Sequence, residues 1–136
     1  MMNLGAWIPA TPLAQWLLLV GAIATLNGLQ NLVNPAFSRR VYASKAGEKE
    51  ASSLAARLFG IWNLTSAMVR LYAAYHMHER GAYMLCLGTF VIAQVHFVSE
   101  MLCFGTLALA PGSISPIVVS TCSAAAMIAQ FRHYIA

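Results

Sequence analysis

Four long stretches of this chain carry almost no charge, and that feature limits its fold more than any other. Crossing the hydrocarbon of a bilayer takes about 18 to 20 consecutive, mostly apolar residues as helix. Residues 13–33, 54–75, 83–104 and 114–131 each approach or exceed that length. Only 9% of the 136 residues are charged, against roughly 25% in ordinary soluble domains. The expected fold is therefore all-α: an integral, multi-pass bundle of four transmembrane helices forming one membrane domain over residues 1–136. Four spans use up most of the length and leave no room for a soluble catalytic domain. The net charge of +4 is spread over one connection and isolated sites. It forms no basic stripe, which excludes nucleic acid as a partner.

The breaks between runs set the organisation. Pro9 and Pro12 lead into the first span, with Trp7 and Trp16 where interfacial aromatics belong, and Asn34-Pro35 closes it. No Lys or Arg precedes this run, so the basic start of a cleavable signal is missing and the run is expected to persist as a helix. Residues 36–53 form a basic connection holding Arg39, Arg40, Lys45 and Lys49, and a short surface helix suits its first half. The turn at 76–82, HMHERGA, is short enough to demand an antiparallel hairpin. Pro111-Gly112 precedes the fourth span. The remaining polar segments carry only Arg80 and Arg132, so the positive-inside rule assigns the basic connection to the cytosol.

Cofactor and metal chemistry find no foothold. Cys86, Cys103 and Cys122 are odd in number, lack CxxC spacing and all fall inside apolar runs, where they are expected as buried small hydrophobes. His76 and His78 form a pair in a polar turn, and the chain has four His in total, too few for the His-rich boxes of a membrane di-iron oxidase. No metal and no cofactor is expected. Nucleotide-binding and nucleophile-elbow motifs are absent from the sequence. Ser120 and Ala124, like Cys122 and Ala126, recur at intervals of four, which permits close packing within the fold or between two copies as a homodimer.

Arg57, Arg70, His96 and Glu100 lie inside expected spans, where an Arg or acidic residue costs about 2.5 to 3.5 kcal/mol on insertion scales and needs a reason. At 1.5 Å per residue, Arg57 and Glu100 lie about 5 and 6 Å from the same face and can meet. Asn27, Gln30, Asn31 and Asn34 reach that leaflet, and His96 is one turn from Glu100. The expectation is one polar cluster of Asn27, Gln30, Asn31, Arg57, His96 and Glu100 beneath the basic connection. Its plainer role is to hold helices in register by hydrogen bonds of about 0.6 to 2 kcal/mol each. The alternatives are a headgroup or proton site, with Glu100 titrating and His96 modulating it, or a partner interface. Arg70 falls about 140° around the helix from Arg57. It nears the opposite surface, where snorkelling or Gln130 would satisfy it.

The motifs NGLQN, RRVYA, Ala56-Arg57-Leu58-Phe59-Gly60-Ile61-Trp62, His96-Phe97-Val98-Ser99-Glu100 and P-x-x-V-S run through nearly the whole chain. In these the sequence resembles the ergosterol biosynthetic protein 28 family of the endoplasmic reticulum. The resemblance implies a non-enzymatic membrane scaffold of sterol biosynthesis. Its implied partners are the sterol C-4 methyl oxidase, the 3-hydroxysteroid dehydrogenase that acts as C-4 decarboxylase, and the 3-keto reductase. Arg57, Phe59, Gly60, Trp62, Arg70, His96 and Glu100 match family positions. Asn63 stands where Thr is usual, and RHYIA offers no dilysine retrieval signal, so residence would depend on partners or spans.

In that role, Arg39, Arg40, Lys45 and Lys49 would sit on anionic lipid or on an acidic enzyme face, at about 1 kcal/mol per basic residue. A rival class is a small lipid-binding protein or transporter using Glu100 as a coupling carboxylate, with membrane lipid or a sterol between its helices.

Overall fold

A computed structural model describes residues 7–136. Seven helices follow in order: α1 (Pro12–Val33), α2 (Ala36–Val41), α3 (Lys45–Glu50), α4 (Ser53–Tyr75), α5 (Arg80–Leu102), α6 (Pro111–Ala129) and α7 (Phe131–Ile135). No strand occurs among the described residues.

Local chemistry sets the helix ends. Pro12 and Pro111 occupy first-turn positions of α1 and α6, where a missing N–H costs nothing. Pro35 pushes Asn34 into extended backbone and ends α1. The Asn34 side chain then accepts from the Ala36 N–H at 2.9 Å and starts α2. Ser44 and Ser52 cap α3 and α4, accepting from the Gly47 and Ala55 N–H groups at 3.0 and 3.1 Å. The basic connection thus holds two short helices rather than the one expected. The fourth run breaks at Gln130 into α6 and α7 instead of continuing to Phe131.

Three helices, α1, α5 and α6, are long and apolar enough to cross a membrane. At 23 residues α4 matches α5 in length, but it carries Arg57, Asn63 and Arg70 and does not reach that hydropathy.

The long helices pair as two antiparallel hairpins, α1 with α4 and α5 with α6, joined where α4 meets α5. Gly28 and Gly60 bring α1 and α4 nearly backbone to backbone. A Cβ on Gly28 would stand 2.9 Å from the Gly60 carbonyl oxygen, and one on Gly60 would stand 2.8 Å from that of Gly28. At the end away from the basic connection, Leu17, Tyr83, Cys86, Phe90 and Met127 form a dry core. There the Trp16 indole donates to Ser123 Oγ at 2.8 Å and bridges α1 to α6, while Tyr83 donates to the Met127 carbonyl. At the other end both odd-numbered connections meet: Ser44 donates through its N–H to the Thr106 carbonyl and through its hydroxyl to that of Gly105.

Of the small residues of α6, Ser120 and Ala124 turn inward while Cys122 faces out. Ser120 is buried and donates to Gln94 of α5 at 2.7 Å, and Ala124 packs on the core. Of the three cysteines only Cys86 is buried; Cys103 and Cys122 are exposed, contrary to expectation.

Candidate functional site

Two recesses lie between the hairpins, and they divide the expected polar cluster. The larger, about 380 Å³, is enclosed by α1, α4, α5 and α6 and roofed by Phe37, Arg40 and Val41 of α2. The roof is anchored to the start of α6: Ser113 donates to the Val41 carbonyl, and Gly112 lies so close to the Arg40 carbonyl oxygen that no Cβ would fit between them. Asn27, Gln30 and Asn31 line this recess from α1. From α4 come Phe59, Asn63, Ser66 and Arg70, which recur at helical spacing and so share one face. Pro116 of α6 also lines it, and its missing N–H leaves the Gly112 carbonyl without a helical donor.

Within the recess Asn31 donates to the Asn27 carbonyl at 2.7 Å, and its own Oδ1 is buried with no hydrogen-bond partner. Arg70 is 8% exposed. It neither snorkels nor reaches Gln130. Its Nε donates to Thr89 Oγ1 at 3.1 Å, and its guanidinium carbon lies 4.2 Å from the centroid of the Phe90 ring. Asn63 donates to the Phe59 carbonyl at 3.0 Å.

The smaller recess, about 160 Å³, is lined by Tyr42, Phe59, His96, Glu100 and Thr106 among others. The Tyr42 hydroxyl lies 2.7 Å from His96 Nε2, and His96 Nδ1 is 4.0 Å from Glu100. Thr106, itself buried, donates its hydroxyl to Glu100 Oε2. Burial, and secondarily the nearby Glu100 carboxylate, push the Tyr42 phenol well above the ordinary tyrosine range. An aromatic wall of Phe59, Trp62 and Phe97 surrounds His96, with ring centroids 5.0 to 6.5 Å apart. Phe59 faces both recesses.

Arg57 joins neither recess. It is exposed on α4, and the 4.0 Å approach of His96 Nδ1 to Glu100 is the only contact of a basic side chain with a carboxylate among the described residues. The expected meeting of Arg57 with Glu100 is replaced by Thr106 and His96. Arg39, Arg40, Lys45 and Lys49 are all exposed on the basic connection, with the Arg40 guanidinium carbon 5.1 Å from the Phe37 ring centroid. In the distal turn His76 stacks on Tyr72, with centroids 4.0 Å apart, whereas His78 faces the Tyr134 carbonyl at 3.1 Å. The two rings therefore serve different partners.

Sequence reasoning missed Tyr42, Ser66, Thr89 and Thr106. The spacing of Phe59, Asn63, Ser66 and Arg70 was the available signal for the α4 face. Nothing local to Tyr42 announces a contact with His96, 54 positions away, and no periodicity marks Thr106, in the connection after α5, as the partner of Glu100.

The family model described as Erg28 like protein matches residues 13–125. Ergosterol biosynthetic protein 28 of Schizosaccharomyces pombe is 43% identical over 118 residues, covering 87% of this chain and 85% of the relative. The Saccharomyces cerevisiae protein of the same name is 35% identical over 130 residues, covering 95% and 86%. The Homo sapiens homolog is 34% identical over 122 residues, covering 89% and 86%. No solved structure matches. The chain belongs to the ergosterol biosynthetic protein 28 family.

Proposed function

We propose that this protein is a non-catalytic scaffold of sterol C-4 demethylation, spanning the endoplasmic-reticulum membrane four times with its basic connection in the cytosol. It holds the C-4 methyl oxidase, the decarboxylating 3-hydroxysteroid dehydrogenase and the 3-keto reductase side by side. Tethering raises the effective concentration of each next enzyme for a shared, poorly soluble intermediate.

The observation that carries this reading is the outer face of α4. Leu54, Leu58, Ile61, Met68, Tyr72 and Tyr75 are each more than half exposed, and with Thr65 they recur at alternating intervals of four and three. That is the seven-residue seam into which a partner helix packs knobs into holes. Arg57 lies beside this seam, exposed and unpaired in the described chain, available to a headgroup or a partner carboxylate.

The rival in which Glu100 couples transport draws less support. Glu100 is engaged by Thr106 and His96, and no carboxylate lines the larger recess.

Reconstitution tests the proposal. With the three enzymes diluted in proteoliposomes, adding this protein should raise flux through the sequence while leaving each enzyme's own turnover unchanged. Turnover of a sterol by the protein alone, or no change in flux, would contradict it.

A further inference from the structure

We propose that the larger recess is a binding site for an amphiphile bearing a carboxylate on a rigid apolar body, with Arg70 as its anion partner. The starting point is a buried cation without a counter-ion. Arg70 is 8% exposed, uses Nε on Thr89, and has no carboxylate partner among the described residues. All four acids of the chain, Glu48, Glu50, Glu79 and Glu100, lie outside the lining of the recess, whose ionisable side chains are Arg40 and Arg70. A buried guanidinium without an anion is retained at a cost, and a ligand carboxylate satisfies its remaining fork of donors in the bidentate geometry that arginine favours.

Shape and lining fit the rest of such a molecule. About 380 Å³ lies within the range of small-molecule sites. Val20, Ala24, Phe90, Ala93 and Phe97 supply apolar wall. Ser66, buried one turn before Arg70 on the same face, suits a second oxygen close to the carboxylate. Towards the basic connection, the unpartnered buried Oδ1 of Asn31 offers an acceptor. Exposed Ile23, Asn27 and Gln30 line the same recess, so it opens outward along α1 and a long apolar remainder can leave sideways.

The identity of the amphiphile rests on the function proposed above. Removing a methyl group first by oxidation and then as carbon dioxide requires a carboxylic acid between the two steps. A sterol acid is therefore the anionic species passed between the oxidase and the decarboxylase. The recess is a holding site for that acid and performs no step on it.

The test uses the full chain in nanodiscs of neutral phosphatidylcholine, with a 4-carboxysterol, the matching 4-methylsterol and palmitate as probes. The carboxysterol should bind at least about tenfold more tightly than the methylsterol, the scale of one charge-assisted hydrogen bond. Arg70→Gln should remove that advantage and leave the methylsterol unchanged. Asn27→Trp, at an exposed position on the rim, should block both sterols without disturbing Arg70, which keeps the test decisive should the arginine variant fail to fold. Equal binding of acid and methylsterol, or an unaltered preference in a folded Arg70→Gln, would overturn the site. Palmitate binding as tightly as the carboxysterol would overturn its assignment to a sterol. Recovery of the three enzymes with no carboxysterol binding would defeat this inference alone; carboxysterol binding without the enzymes would support it and defeat the scaffold.

Discussion

The Tyr42 hydroxyl stands 2.7 Å from His96 Nε2 and joins the basic connection to the last third of α5. With the Tyr42 O–H donating to Nε2, the imidazole carries its proton on Nδ1, which lies 4.0 Å from Glu100. Removing the hydroxyl with Tyr42→Phe should cost about 0.5 to 1.5 kcal/mol of stability. Thermal unfolding in detergent reads it, and an unchanged midpoint would argue that the contact contributes nothing.

The same burial sets a pH dependence. A phenol whose folded pKa is raised above the ordinary value of about 10 favours the protonated state. Its stabilisation is complete below about pH 10 and is lost as pH climbs from there towards the raised folded value. The wild type should therefore lose more stability above pH 10 than Tyr42→Phe. Parallel alkaline unfolding curves for the two would show that Tyr42 ionises freely.

Arg57 and Glu100 should act independently. Arg57→Ala and Glu100→Gln are expected to add within about 0.5 kcal/mol, as for sites that share no partner. A double-mutant cycle measures this, and a coupling energy well above that figure would restore the direct pair.

Close approach of α1 and α4 depends on Gly28 and Gly60. Gly60→Ala puts a methyl group 2.8 Å from a backbone carbonyl that cannot swing aside, so destabilisation of about 1 to 3 kcal/mol is expected. Chemical denaturation of the reconstituted protein checks it; wild-type stability would mean the helices can separate without cost.

The outer seam of α4 and the basic connection should govern docking without governing folding. Leu58→Ala with Ile61→Ala and Met68→Ala should lower recovery of at least one enzyme while the helical content stays intact. Charge reversal at Arg39 and Arg40 should weaken recovery most at low salt, and the difference from wild type should shrink at higher salt, because exposed charge pairs are screened. Unchanged recovery of all three enzymes from both variants would remove these surfaces from the account.

Runs free of charge, bounded by proline and by capping serines, made the long helices legible because those signals are local. The polar cluster was legible only in height. Rise per residue placed Arg57 and Glu100 at one depth, but depth leaves rotation undetermined. Rotation is decided by which stripe packs, and on α4 the small residues Ala56, Gly60 and Ala67 take the inner face and turn Arg57 outward. Arg70 shares that inner stripe with Ser66 and Asn63, so its burial follows from the same pattern once the small residues are read as the contact face. Thr106 and Tyr42 lie in connections, where no periodicity announces what they touch.

Purification of the tagged protein from its native membrane in mild detergent, with quantitative mass spectrometry of what accompanies it, tests the scaffold most directly. Stoichiometric recovery of the C-4 methyl oxidase, the decarboxylating dehydrogenase and the 3-keto reductase is expected. Recovery of the protein alone, repeated after detergent-free nanodisc extraction, would contradict it.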